Sequence, residues 1–587
     1  MKPWVPGTAA AAVCLLCVAC RPSLQPPSPA GARGTPGASA AGPREEARFD
    51  WFSYEGQDPV YSQVRAGPGE YLNPVLAGFY PDPTICRQGE DYYLATSSFT
   101  YYPGVPLFTS RDLVHWRQIG SILDRPSQLV LDSAATSRGI FAPSLACRPG
   151  KLWMITTLVD RGGNFLVTST DPARPGSWSD PVWLHFDGID PSLFFDDDGR
   201  VYVVHNGLPE GPQLYGQGHR AIWIQEYDTA AQRMVGPHRM IVNGGVDLSR
   251  HPIWIEAPHL FRKDGWYYLI CAEGGTAEEH SEVVFRSREV FGPYVPGPVE
   301  PILTQRHLDP ARAFPVWTAG HADFVRTQRG EWWAVFLATR PYEDYTFNTG
   351  RETFMLPVRW NDGWPVILSG AETVPYAVPA PDLTGDPRPA RPLGGNFTDR
   401  DDFDSTALRS TWAFMRTVRE PWFETTSRPG WLTIRARSAS LEGRSQPSFV
   451  GRRQQHAWAT ATAAMRYRPL VVGDKAGIVA FQSDDYWYFL GVTLEAGRPV
   501  VRLEERAGPR TQGATVVLAT APLETSSDST LYLRIAARGA SYDFSYAYRP
   551  ERWLLLKGDA DGTILSTRVA GGFVGTMLGM YAYHPGR

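Results

Sequence analysis

One pattern recurs five times between residues 80 and 340, and it restricts the fold more than anything else in the chain. The segments are YPDPTICRQGEDYYLATS from Tyr80, IFAPSLACRPGKLWMITT from Ile140, GIDPSLFFDDDGRVYVVH from Gly188, WIEAPHLFRKDGWYYLIC from Trp254 and AGHADFVRTQRGEWWAVF from Ala319. Each has a small or acidic residue, followed in four of the five by Pro. A short apolar run, a polar turn that usually holds Gly and an aromatic-rich run come next. Each therefore reads as a β-hairpin. The reference positions Asp82, Ala142, Asp190, Ala257 and Ala322 are 60, 48, 67 and 65 residues apart. Hairpins repeated at a period near 60 predict radial repetition, a five-bladed β-propeller, rather than a β-sandwich. Long helical periodicity is absent, which argues against an α/β barrel.

The repeat also aligns the acids. Asp82 and Asp190 occupy the same repeat position, and Phe141, Glu256 and His321 fall one residue earlier in their segments. Equivalent positions of a propeller lie at one height around its axis, so these side chains are expected to converge on one axial pocket. Three carboxyl groups around a pocket suit glycosidic cleavage, where one must be protonated to release the leaving oxygen and another ionised to activate water or attack carbon. Repulsion and burial separate their acidities. Taken singly, an Asp-Pro pair is an ordinary turn. The acid run Asp196, Asp197 and Asp198 reads as such a turn, since a calcium loop needs further spaced ligands.

A second region is also β. WLTIRAR (431–437), AGIVAFQ (476–482), YWYFLGVTL (486–494), PVVRLEER (499–506) and LYLRIAAR (531–538) are short β-branched and aromatic runs separated by polar turns, which predicts an antiparallel β-sandwich. The Pro-rich stretch PAPDLTGDPRPARPLGG (379–395) separates the two regions. We therefore expect an all-β chain: a catalytic propeller over 48–380, a linker over 381–395 and a sandwich over 396–587.

The N-terminus points to export. TAAAAVCLLCVA (8–19) is an apolar run too short to span a bilayer, and it reads as a signal peptide over 1–19. It ends in Cys17-Val18-Ala19-Cys20, which resembles a bacterial lipobox, so Cys20 is the expected lipidation site and anchors the chain in the cell envelope. Residues 20–47 are rich in Pro, Ala and Gly and read as a flexible tether. The mature chain keeps no C-x-x-C pair, so a cysteine zinc site is not expected. Cys86, Cys147 and Cys271 read as small buried apolar residues. A net charge of −4 offers no basic footprint for nucleic acid. Aromatic residues make up 12% of the chain; core and sheet packing accounts for most of them, and stacking of some rings on sugars is the alternative use.

The residues 73–116, GIDPSLFFDDDG (188–199), EAPHLFRKDGWYYLICAEGGT (256–276), TAGHADF (318–324) and GRETFMLPVRWNDGWP (350–365) together resemble glycoside hydrolase family 43, in particular its β-xylosidase and α-L-arabinofuranosidase branch. RRQQH (452–456) and AGIVAFQS (476–483) are similar to the concanavalin-like sandwich that follows many such propellers. The resemblance implies an inverting mechanism with Asp82 as general base, Glu256 as general acid, and Asp190 as the residue that raises the acid's pKa and orients it. It implies that Arg351 contacts substrate hydroxyls and that Phe99 and Phe141 form pocket walls. It further implies that His321 is a central histidine that in some relatives helps hold a calcium ion or water. Many relatives carry Trp in place of Phe141 and Gly in place of Ala257.

The expected activity is exo-hydrolysis of β-1,4-xylo-oligosaccharides. α-L-Arabinofuranosidase action on arabinoxylan or arabinan side chains is the alternative, and a non-catalytic carbohydrate-binding propeller the reading from another class. No cofactor is required; a structural calcium ion and a homo-oligomer are left open.

Overall fold

The computed structural model describes residues 46–299, 301–388, 390–524 and 529–586. The expected signal peptide, Cys20 and nearly all of the tether lie outside the described residues.

The five hairpins are the inner strands of five antiparallel sheets, arranged as a five-bladed propeller. The first blade is Thr84–Gln88, Asp91–Ala95, Gly104–Ser110 and Arg117–Leu123. The second is Ser144–Arg148, Lys151–Leu158, Gly163–Ser169 and Val182–Leu184. The third is Ile189–Phe195, Val201–Gly207, Ala221–Asp228 and Arg233–Asn243. The fourth starts with Glu256–Lys263, Trp266–Glu273 and Ser281–Ser287, and the fifth is Trp317–Arg326, Trp332–Thr339 and Glu352–Pro357. The hairpin turns follow from the sequence. At Asp264-Gly265 both residues have positive φ, 51° and 73°, the two-residue turn whose twist matches the strands it joins. Leu76 and Thr353 exchange backbone hydrogen bonds of 3.2 and 3.1 Å, so the segment before the first blade completes the edge of the fifth.

The sandwich consists of two eight-stranded sheets, and it departs from the sequence expectation at its edges. The strand Glu46–Gly56, expected to open the propeller, lies inside one sandwich sheet between Leu432–Arg435 and Trp458–Arg466. Its buried Phe49, Phe52 and Tyr54 face the sandwich core. Tyr101–Tyr102, from the first blade, pairs with Ala413–Met415 and extends the other sheet. The described residues thus start and end in the sandwich, with the propeller between.

The cysteine expectation needs correcting. Cys271 is a free buried thiol, but Cys86 and Cys147 form a disulfide. It joins the inner strands of the first and second blades, which stand side by side. Sequence spacing gave no hint of this adjacency, which arises only when the blades are set around the axis.

Candidate active site

The repeat geometry aims the acids. Asp82, Asp190, Ala257 and His321 all adopt left-handed backbone conformations, with φ of 54°, 52°, 50° and 55°. Such a conformation costs a non-glycine residue about 1–2 kcal/mol. A shift in strand register follows the bend in the third, fourth and fifth blades. This corrects the alignment of the fifth segment: His321, not Ala322, stands where Asp82 and Asp190 stand. Glu256 precedes the bend of its blade by one residue.

Asp82, Asp190, Glu256, His321, Arg351, Phe99 and Phe141 all line a single pocket of about 340 Å³. The structure therefore brings every sequence-predicted site residue of the propeller together. Asp82 is buried; its Oδ1 accepts from Arg351 Nη1 at 2.9 Å and its Oδ2 from the Ser97 hydroxyl at 2.5 Å. Burial alone would push its pKa up, but the Arg351 guanidinium and the Ser97 hydrogen bond outweigh it and hold the carboxyl below its ordinary value. Glu256 has the opposite environment. Burial first, and the charge of Asp82 second, push its pKa up to about 7, against weaker opposition from Arg351 and Arg220. Asp190 accepts a 3.3 Å hydrogen bond from the Ala257 N–H, and its pKa stands well above the carboxylate range through burial, then through Glu256 and Asp82. The site thus sets one carboxyl held below the ordinary carboxylate range opposite two held above it.

Arg351 serves two partners. Nη1 donates to Asp82 and also to Thr276 Oγ1, at 3.0 Å. Its guanidinium lies 5.9 Å from the Phe99 ring centre and 5.4 Å from that of Phe573. His321 Nδ1 is 3.6 Å from Asp82 Oδ1, and burial pushes the imidazole pKa down to about 3 against the pull of Asp82, so the ring is neutral. Calcium takes six to eight oxygen ligands. Among the described residues no group of three or more His, Cys, Asp or Glu side chains is arranged to hold a metal ion. His321 therefore does not fit a calcium cage built from protein side chains.

Sequence reasoning missed several pocket residues. Phe573, from the sandwich, stacks on Phe99 (6.1 Å, 18°) and meets Phe141 edge-on (5.9 Å, 77°). Its backbone N–H donates to Ser137 Oγ at 2.9 Å. A Cβ on the neighbouring Gly572 would lie 2.3 Å from that hydroxyl, so the paired glycines before the ring permit the close approach. Gly571-Gly572-Phe573 was the only trace in the sequence. Trp254, the first residue of the fourth repeated segment, also lines the pocket, as do Arg138 and Thr276 in loops outside the repeats.

A propeller whose axis gathers three carboxyls of unequal acidity, walled by aromatic rings and closed by a second β domain, defines a glycoside hydrolase. The comparisons specify which. Residues 71–365 match the model of glycosyl hydrolases family 43, and residues 400–587 match that of the beta xylosidase C-terminal concanavalin A-like domain. The chain belongs to glycoside hydrolase family 43. It is 40% identical over 521 residues to a xylosidase/arabinosidase of Butyrivibrio fibrisolvens, covering 88% of this chain and 96% of that one. It is 34% identical over 518 residues to a non-reducing end alpha-L-arabinofuranosidase of Bacteroides ovatus, covering 87% and 91%. A crystal structure of a family 43 enzyme retrieved from a capybara gut metagenome superposes with a TM-score of 0.86 at 40% identity, covering 92% and 100%.

Proposed function

We propose that this enzyme is an inverting exo-hydrolase that releases xylose from the non-reducing ends of β-1,4-xylo-oligosaccharides, with α-L-arabinofuranosides as its second substrate class. The observation that carries the mechanism is the opposed tuning of Asp82 and Glu256. Asp82, kept ionised by Arg351, is the general base that takes a proton from the attacking water. Glu256, kept protonated by burial, is the general acid that protonates the glycosidic oxygen. Asp190, bonded to the backbone at Ala257 beside Glu256, orients the acid. The neutral His321 and Arg351 hold Asp82 in place, and Arg351 also faces the sugar hydroxyls. Exo action is supported by the Phe573 wall, which narrows the pocket from the sandwich side.

The second substrate class is favoured by the relatives, whose names include both xylosidase and arabinofuranosidase. The ratio of kcat/KM on 4-nitrophenyl β-D-xylopyranoside and α-L-arabinofuranoside decides between them. A preference above tenfold for the arabinofuranoside overturns the xyloside reading and leaves the acid assignment standing. Proton NMR at early times during xylobiose hydrolysis should show α-xylose first, whereas β-xylose first would make Asp82 a nucleophile.

We also propose that Cys20 carries lipid and tethers the enzyme to the cell envelope, supported by the leader sequence. Incorporation of labelled palmitate that persists in a Cys20→Ala variant would refute this.

A further inference from the structure

Arg220 is the anomaly beside the pocket. It is half-buried, on the loop that enters the strand Ala221–Asp228 of the third blade. Among the described residues its guanidinium has neither an ion-pair partner nor a hydrogen bond, whereas Arg138, Arg340 and Arg351 are each paired with a carboxylate. Its guanidinium nitrogens stay open to solvent, so its N–H donors are free to exchange water for an incoming ligand. Arg220 lies with its Cζ 4.2 Å from the centre of the Trp254 ring. Trp254 lines the pocket two residues before Glu256 and is held in a left-handed conformation, φ 51°, by its N–H bond of 2.8 Å to the Gly218 carbonyl. The loops that meet there also leave Leu214 and Ile253 exposed, at 62% and 44%. An apolar, aromatic rim therefore runs outward from the acid with one unengaged guanidinium on it.

We infer that Trp254 and Arg220 form the leaving-group subsite: the Trp254 ring stacks on the neutral sugar that departs, and Arg220 donates its free N–H groups to that sugar's hydroxyl and ring oxygens. The inference rests on the proposed exo-hydrolysis and adds the part of the substrate that reading leaves unplaced. Two features favour a sugar on this side. The acid that must reach the leaving oxygen is on this blade. Stacking on an aromatic face, combined with a planar fork of donors, matches a pyranose, which presents C–H groups on its faces and oxygens around its rim. Arg220 also acts on the acid electrostatically. The charged groups that face Glu256 are Asp82 from the first blade, Asp190 and Arg220 from the third and Arg351 from the fifth, and Arg220 lowers the acid's pKa.

The test compares two substrates that share the glycone: xylobiose, which has a leaving-group sugar, and β-D-xylopyranosyl fluoride, which has none. Arg220→Ala and Trp254→Ala should each lower kcat/KM on xylobiose tenfold or more and lower it severalfold less on the fluoride, so that the xylobiose-to-fluoride ratio falls. Arg220→Ala should also move the alkaline limb of the pH profile upward, because a positive charge near Glu256 is gone. Arg220→Lys, which keeps the charge and loses the fork, should leave that limb in place while still losing severalfold on xylobiose. Equal losses on both substrates, or no loss on xylobiose, overturn the subsite. Trp254→Phe, which keeps an aromatic face, covers the case in which Trp254→Ala fails to fold, and it should retain more activity on xylobiose than Arg220→Ala. If Trp254→Phe loses as much on the fluoride as on xylobiose, the subsite is again overturned. The wild-type rates alone decide which sugar is cleaved, so failure of the xyloside reading shows in the wild type and failure of the subsite in the variant ratios.

Discussion

Phe573 of the sandwich stacks on Phe99 of the first blade, ring centres 6.1 Å apart and planes 18° apart, and Arg351 lies over both rings. The second domain thus supplies part of the wall around the catalytic arginine. Phe573→Ala should leave the fold intact and reduce kcat/KM on xylobiose by about tenfold or more, the order expected when an aromatic wall worth 1–3 kcal/mol is lost. Steady-state kinetics with a thermal melt of the same sample checks both halves.

Deleting 396–587 should fail more severely. The strand Glu46–Gly56 would lose its neighbours on both sides and expose Phe49, Phe52 and Tyr54, and the pocket would lose Phe573. The expected product is insoluble or inactive. A soluble monomer with wild-type kinetics would show that the two domains are independent.

The pH dependence follows from two opposed shifts. Asp82, held below 3.8, must be ionised, so the acid limb of kcat/KM should lie below that value. Glu256, raised to about 7, must be protonated, so activity should fall as pH rises through about 7. Asp82→Asn removes the charge that raises Glu256. The Glu256 carboxyl should then titrate lower, measurable by carbon-13 NMR of labelled glutamate, while turnover falls by at least a hundredfold.

Glu256→Gln should lower turnover on xylobiose by about 10²–10⁴-fold. It should also stabilise the fold in one direction of pH. A carboxyl whose folded pKa is raised from 4.5 to about 7 binds its proton more tightly folded than unfolded, so stability is lost as pH rises between those values. At about 1.4 kcal/mol per unit the loss above pH 7 is at most about 3.5 kcal/mol. The Gln variant should therefore melt higher than wild type at pH 8 and equally at pH 4. Equal melting at both would mean that Glu256 is not shifted.

The Cys86–Cys147 bond closes a loop across two blades with a sequence separation of 61. Cys86→Ser should destabilise the enzyme by about 2–4 kcal/mol, read as a lower denaturant midpoint than wild type in the absence of reductant and no difference in its presence. A disulfide also fits the exported location proposed from the leader.

Much of this protein was legible before any coordinates. The five hairpins, their turns and the sandwich strands are local patterns, and period-two alternation with Gly-containing turns is written in contiguous residues. The acids were legible because the repeat carries their register: Asp82 and Asp190 lie 108 residues apart yet share one position in the pattern. What tertiary structure alone decided is what depends on surfaces meeting. Glu46–Gly56 reads as a strand, but its place in a sheet depends on partners some 400 residues away. Cys86 and Cys147 read as two buried thiols until adjacent blades place them within bonding distance. Phe573 lies in no repeat, so only the packing of the two domains places its ring against Phe99. The acidities of Asp82 and Glu256 are settled the same way, since neither carboxyl carries its shift in its own neighbours along the chain. One is lowered by Arg351 from the fifth blade, and the other is raised by burial and by the charge of Asp82 across the axis.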